Sequence, residues 1–246
     1  MKTKKDIHGT RQFRFPLLKK LYESLNVQFD VDNFVVRELK NIDKGLHILD
    51  AGCGSQRYKK YCSHLRYSGQ DFAKFMDEDQ ITLLGEKNFG EKYAYGQLDY
   101  EGNIWDINEA DASFDAILCT EVLEHIPYPI ETVKELARLL KPGGKLIMTA
   151  PSNCLRHMDP YFYSSGYSDR WYVEILSKNG LSIQKIEIVG DYYRWMAVEC
   201  ARSILLPGFF NKIFLLPAFI YYFLKGPTKE SQSTLCQGYC TVSIKA

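Results

Sequence analysis

A doubly wound α/β fold with a mostly parallel sheet is predicted by three features of the sequence. Helical and strand periodicities alternate along most of the chain, as parallel strands joined by crossover helices require. An apolar run at 47–51 ends in a glycine-rich turn, the pattern of a buried strand feeding a crossover. The length, 246 residues, lies between one and two typical domains of about 150. That leaves room for one large domain with an insertion.

Residues 15–39 read as helical, with Pro16 near a first-turn position and Leu17, Leu18, Leu21 and Leu25 on one face. Residues 1–44 are thus expected to form a helical cap. His47 to Ala51 is the first strand, followed by a polar helix to about Leu65. Arg66 to Asp71 (RYSGQD) is short, ends in an acid and suits a second strand, whereas 72–102 carries little pattern. Phe114 to Thr120 (FDAILCT) is a strand, and Tyr128 to Leu140 a helix that Lys141-Pro-Gly-Gly stops in a tight turn. Leu146 to Pro151 is the next strand, Asp169 to Lys178 a helix, and Leu181 to Val189 and Tyr239 to Lys245 the final strands. A single domain is expected, with a core at 45–191, an apolar insertion at 192–237 and the last strand within 238–246.

Composition narrows the function classes. Apolar residues at 46% and charged residues at 25% are ordinary for a globular chain. A net charge of +1 recruits nucleic acid from no distance, so no nucleic-acid partner is expected. Seven cysteines, odd in number and without a C-x-x-C, suggest neither a disulfide framework nor a zinc ribbon. A reducing cytoplasm fits, and the opening MKTKKDIHGT has the charge of a signal peptide without its apolar run.

Ile204 to Leu224 is apolar except for Pro207, Gly208, Asn211, Lys212 and Pro217. About 20 helical residues span a bilayer, but two prolines and Lys212 near the midplane, at ~3 kcal/mol, argue against a crossing. Two short helices joined near Asn211 and Lys212 are expected. With Arg202, Lys212 and Lys225 alongside, the favoured reading is a patch resting peripherally on the inner face of a membrane, or receiving a lipid-linked acceptor. A homodimer interface and a cover for the sheet edge are the alternatives.

The strongest chemical signal is HILDAGCGSQRY, from His47 to Tyr58. A strand ending in Asp50 and running into Gly52-Cys53-Gly54 exposes backbone donors where no Cβ hinders a ligand. Arg57 stands where a dinucleotide fingerprint places its third glycine. Asp71 follows at about the 20-residue offset from which an acid ending the second strand reaches a ribose diol.

Together with FDAILCTEVLEH at 114–125 and LKPGGKL at 140–146, these motifs make the chain from about Gly45 to Gly190 resemble the class I S-adenosylmethionine-dependent methyltransferases. The resemblance is to the broad type 11 group, which includes quinone-biosynthesis O-methyltransferases. It implies a Rossmann-like, seven-stranded, mostly parallel sheet with one antiparallel strand and helices on both faces, and S-adenosyl-L-methionine as cofactor. It further implies Asp50, Gly52, Cys53 and Gly54 around the methionine portion, Asp71 on the ribose, and Thr120 offering backbone to the methionine. The adenine contact would fall to Asn103 and Ile104, where the family usually carries an acid; Asp106 is a second candidate. The competing class is a cofactor-binding regulatory or assembly protein without turnover.

Methyl transfer is an in-line displacement, so positioning does most of the work. A hydroxyl acceptor must also lose a proton. His125 is the preferred base, oriented by Glu121 or Glu124; in a helix the three would share one face. The same trio, with His157, would suit a divalent metal of the E-x-x-E-H kind found in some relatives, but no metal is assigned. Alternatively Glu124 caps a helix and His125 bonds backbone. The loop from Ser152 to Trp171 combines Arg156, His157 and Asp159 with Tyr161, Phe162, Tyr163 and Tyr167, a mixture suited to a small or carrier-linked ring such as a sugar or phenol. Tyr192, Tyr193, Arg194 and Trp195 are candidates for the same pocket. Arg11, Phe13, Arg14, Phe15, Lys19 and Lys20 read either as a solvated helix or as a closure over the cofactor.

Overall fold

The computed structural model describes residues 16–75 and 94–246, with side chains from residue 20 onward. Its centre is a seven-stranded sheet in the order β3-β2-β1-β4-β5-β7-β6. The strands are β1 (His47–Ala51), β2 (Arg66–Asp71), β3 (Tyr100–Glu101), β4 (Phe114–Thr120), β5 (Leu140–Pro151), β6 (Leu181–Val189) and β7 (Gly238–Lys245). β1 pairs in parallel with β2 and β4, as β2 does with β3 and β4 with β5. β7 runs antiparallel to β5, with Ile147 opposite Val242. This is the predicted Rossmann-like sheet with one antiparallel strand. Strand order reverses between β1 and β4, and the carboxyl ends on either side of such a switch point diverge into a crevice.

The central strands are apolar because they are covered: Leu49, Ile117, Leu118, Leu146 and Met148 are all buried. β6 instead alternates half-buried and exposed positions, as expected at a sheet margin; Lys185 and Glu187 lie on its half-buried face, paired with Glu38 and Arg37. Helices α3 (Pro129–Leu139) and α4 (Asp169–Lys178) contribute Val133, Leu136, Tyr172 and Leu176 to the same core. Proline opens α3, and the Ser168 side chain caps α4 by accepting from the Trp171 amide at 3.2 Å.

Contacts divide the chain into two compact units, one of residues 35–187 with 238–246 and the other of residues up to 34 with 188–237. The second holds α1 (Pro16–Leu25), the first turns of α2 (Gln28–Lys40), α5 (Tyr192–Ile204), α6 (Phe209–Leu224) and α7 (Lys229–Thr234). Asp191 ties it together: one carboxylate oxygen caps α5 by accepting from the Arg194 amide at 2.9 Å, and the other accepts from the Ser231 hydroxyl at 2.6 Å.

The structure corrects four expectations. The helix predicted over 15–39 is two helices, because the Asn26 side chain accepts from the Gln28 amide at 3.0 Å and starts α2 afresh. No α-helix follows β1; Gln56 at φ +57° interrupts the turn, and one 3₁₀ turn at Lys59–Tyr61 remains. Lys141-Pro-Gly-Gly is no separate turn but lies within β5, where pairing jumps from Phe114–Leu140 to Ala116–Lys145. Finally, the apolar segment breaks at 205–208, not at Asn211 and Lys212, which sit in the first turn of α6. Pro207 and Gly208, at φ +136°, supply that break, and Pro217 is accommodated inside α6.

Candidate active site

The crevice at the switch point is a cavity of about 470 Å³. β1 delivers Asp50 to it, 2% exposed, and then turns through Gly52 (φ +74°) and Gly54 (φ +49°). Glycine is required at 52, since a Cβ there would lie 2.6 Å from Cγ2 of Val122. The turn is pinned to β2: the Gly52 and Cys53 amides both donate to the Gln70 carbonyl at 2.9 Å. The Gly54 amide donates to Asp71 Oδ2 at 2.8 Å, and Asp71 Oδ1 accepts from the Ala73 amide at 3.1 Å.

These contacts leave two carboxyl groups on one small, partly apolar cavity. Burial pushes Asp50 up to about 7 against the hydrogen bond it accepts from the Tyr67 hydroxyl at 2.7 Å, and the nearby Asp71 adds to the rise. Asp71 is also raised by burial, opposed by backbone amides that favour its charged form. Arg57 and Lys74 also line the cavity, against the three acids Asp50, Asp71 and Glu121. Across it, Gly102, Asn103, Ile104 and Trp105 form the opposite wall, held to β2 where Gln70 Nε2 donates to the Gly102 carbonyl at 2.7 Å.

Beyond β4, Thr120 and Glu121 line the cavity, with Glu121 at φ +52°. Its amide donates to the Thr149 carbonyl at 3.0 Å and its carboxylate accepts from the Thr149 hydroxyl at 2.8 Å. A 3₁₀ turn at Leu123–His125 follows, so Glu121, Glu124 and His125 are not three residues of one α-helical face. Glu124 is 1% exposed and does not line the cavity. Burial and the Glu121 charge hold its carboxyl well above the usual carboxylate range, and its Oε2 has no hydrogen-bond partner among the described residues.

His125 does line the cavity, and burial lowers it to about 4, so the imidazole is neutral at pH 7. Its Nδ1 lies 2.6 Å from the Tyr161 carbonyl, which can only accept. The proton therefore sits on Nδ1 and the free lone pair on Nε2. The orienting group is this carbonyl rather than a glutamate; Glu124 Oε1 stands 3.5 Å from Nε2. The His157 ring packs edge-on to His125 at 4.7 Å, and ligand atoms of Glu124, His125 and His157 fall within 4.8 Å of one another.

Asp50, Gly52, Cys53, Gly54, Asp71, Asn103, Ile104, Thr120, Glu121 and His125 thus converge on one cavity. Asp106 faces a neighbouring recess. Tyr161 and Tyr163 of the loop after β5 join the wall, while Tyr167 is buried, donating to the Leu123 carbonyl at 2.8 Å. Tyr192 to Trp195 open α5 and do not line the cavity. Arg11, Phe13, Arg14 and Phe15 lie outside the described residues, as does the side chain of Lys19; Lys20 is exposed. Sequence reasoning missed Phe72, Phe75, Tyr95 and Met158, which line the same cavity. The Phe72 ring packs edge-on to Tyr161 at 4.9 Å. Their only sequence signal is a scatter of aromatics in a stretch without periodicity.

Residues 49–148 match the family described as a methyltransferase domain. A ubiquinone biosynthesis O-methyltransferase from Coxiella burnetii is 36% identical over 126 residues, 49% of this chain and 49% of that protein. Its counterpart from Xanthomonas oryzae pv. oryzae is 34% identical over 107 residues, 43% of each chain. The chain thus spans about half the length of the curated relatives it matches. The fold is shared with geranyl diphosphate C-methyltransferase from Streptomyces coelicolor A3(2), solved with Mg2+, geranyl diphosphate and S-adenosyl-L-homocysteine. There the identity is 16% and the TM-score 0.52, over 87% of this chain and 79% of that one. Residues 49–148 are thus similar to a methyltransferase domain, on a fold that the geranyl diphosphate enzyme shares in its complex with S-adenosyl-L-homocysteine.

Proposed function

We propose that this protein transfers a methyl group from S-adenosyl-L-methionine to a hydroxyl of a ring-shaped acceptor, small or carrier-linked. The observation that carries the reading is the pair of buried carboxyl groups, Asp50 and Asp71, on a cavity walled by a glycine turn, Asn103 and Ile104. A cationic nucleoside fits that electrostatics, because a nearby positive charge favours the ionised form of both acids. Asp71 would accept from the ribose hydroxyls, Asp50 and the backbone of Gly52, Cys53 and Gly54 would border the methionine portion, and Thr120 would offer its backbone there. Asn103 and Ile104 would meet the adenine.

When bound, the cofactor supplies an electrophilic methyl on a sulfonium. His125 would take the acceptor's hydroxyl proton on Nε2 as the oxygen attacks, becoming an imidazolium whose Nδ1–H stays on the Tyr161 carbonyl. Glu121, fixed by Thr149, would add negative charge to the same cavity. Phe72, Phe75, Tyr161 and Tyr163 would sandwich the acceptor ring and hold it in line, where most of the rate gain arises.

A second reading has a specific observation behind it. Glu124, His125 and His157 are close enough to hold a divalent cation, and Glu124 Oε2 lacks a partner among the described residues. The Nδ1–carbonyl bond of His125 is the outer-shell arrangement that metal-ligating histidines use. A bound ion would polarise the acceptor oxygen and ease loss of its proton.

Calorimetric titration with S-adenosylmethionine and S-adenosylhomocysteine tests the cofactor reading. Binding of both is expected, with Asp71→Ala lowering affinity at least about tenfold and His125→Ala leaving it unchanged. Absence of binding by the intact protein overturns the proposal. Transfer of labelled methyl into a cell extract, lost in His125→Ala and followed with and without chelator, then separates an enzyme from a binding protein and the two catalytic readings from each other.

A further inference from the structure

Helix α6 contains seven aromatic residues in sixteen positions and not one buried residue. Asn211, Leu215, Ala218, Phe219 and Tyr222 form its half-buried stripe, which packs toward α5; the Tyr222 and Tyr192 rings are 6.3 Å apart. The rest of the helix faces outward and is almost wholly apolar. Phe209, Phe210 and Phe214 are 73%, 69% and 69% exposed, and Ile220, Tyr221 and Leu224 continue the surface. Contiguous apolar surface of this kind marks a docking site rather than a solvated face.

Charge identifies the occupant. Between Glu199 and Glu230 there is no acidic residue, but Arg202, Lys212, Lys225 and Lys229 are basic, in a chain whose overall charge is +1. A second copy is disfavoured, because a two-fold interface sets the same patch against itself and would oppose cations with no anion to receive them. A surface of anionic phosphates above an apolar layer matches both features. At 16 residues, α6 is about 24 Å long, short of the ~30 Å hydrocarbon core. Among the described residues no helix is long and apolar enough to cross a membrane. Lying in the interface is therefore the geometry left for α6.

We propose that α6 docks in the plane of an anionic lipid bilayer, with Phe209, Phe210 and Phe214 entering the acyl boundary and Lys212, Lys225 and Lys229 meeting lipid phosphates. This stands apart from the catalytic reading, which cofactor titration of the same samples reports separately. The test is co-sedimentation of the full chain with phosphatidylcholine vesicles, with and without phosphatidylglycerol, at low and high salt. Low-salt binding should be at least about tenfold tighter with phosphatidylglycerol, at about fivefold per engaged cation, and should weaken with salt. Phe210→Ser with Phe214→Ser should lower affinity at least about tenfold. Lys212→Glu with Lys229→Glu should abolish only the preference for phosphatidylglycerol. All four positions are exposed, and far-UV circular dichroism and melting unchanged from wild type confirm folded variants. The proposal is overturned if wild type stays in the supernatant, if the serine variant sediments like wild type, or if light scattering without lipid shows a dimer that this variant dissolves while vesicles bind neither form.

Discussion

Gly52 offers the sharpest test of how the glycine turn after β1 is built. Replacing it with alanine imposes two separable costs. The first is conformational: φ is +74°, where a Cβ costs about 1–2 kcal/mol, partly offset by a stiffer unfolded chain. The second is steric, since the new Cβ would lie 2.6 and 2.8 Å from the two γ-methyls of Val122, and overpacking of this kind costs about 1–3 kcal/mol. The sum, about 3 kcal/mol, should lower the melting temperature by about 6–12 °C in a chain of this size. Gly45→Ala isolates the first cost, because its φ is +86° and nothing lies within 4 Å of the added atom; about 1 kcal/mol is expected there. Val122→Ala removes both offending methyls and leaves the nearest contact at 3.3 Å, to Cβ of residue 122. The double variant Gly52→Ala with Val122→Ala should therefore be more stable than additivity allows by about 1–2 kcal/mol, well outside the ~0.5 kcal/mol scatter of independent sites. Thermal melts and S-adenosylmethionine titrations on the wild type and the four variants make the measurement. Strict additivity, or a Gly52→Ala cost equal to that of Gly45→Ala, would refute the steric account of the turn.

Two further predictions concern the buried pair beyond β4. Since burial lowers His125 to about 4, its neutral form persists as pH falls past the ordinary histidine value of about 6.5; kcat at saturating cofactor, where Asp50 is held ionised, should stay flat to about pH 5, and an acid limb in kcat centred near 6.5 would remove His125 as the base. His125→Gln should lower turnover about 10²–10⁴-fold without weakening cofactor affinity. Folded Glu124 stays protonated well above the 4.5 at which the unfolded chain releases that proton, so the wild type loses stability as pH rises through that window. Glu124→Gln removes the loss, and its stability relative to wild type, read from urea midpoints, should climb from pH 4.5 to 8; a constant difference would show that Glu124 is ionised in the folded protein. Added Mn2+ should stabilise wild type but not this variant if the three-residue cation reading is correct.

Strands β2, β4 and β6 were legible to the residue because burial acts on them locally. FDAILCT carries its environment in a continuous apolar run and LSIQKIEIV in its alternation. The misplaced elements are those decided by one side chain against a neighbour's backbone. Asn26 divides a continuous amphipathic pattern, and Gln56 spoils a helix by adopting a left-handed φ that its residue type does not announce. The Lys141–Gly144 segment bulges, with Gly143 at φ +75°, yet stays within β5 because β4 pairs on both sides of it, a register visible only across the sheet.

The site divides on the same principle. Asp50, Gly52 and Gly54 could be read together because the strand end and the turn that place them are contiguous in sequence and fixed by backbone sterics, and Asp71 because it ends the neighbouring parallel strand. What His125 does depends on a partner 36 positions away. With its Nδ1 donating to a carbonyl, histidine needs no carboxylate to fix its tautomer, so Glu124 is released from the orienting role that its spacing suggested. A buried carboxyl so released must either keep its proton or meet a cation, since an isolated ionised acid in that position has nothing to offset its desolvation. The protonation state of Glu124 is thus the physical variable that separates a proton-transfer site from a cation-assisted one.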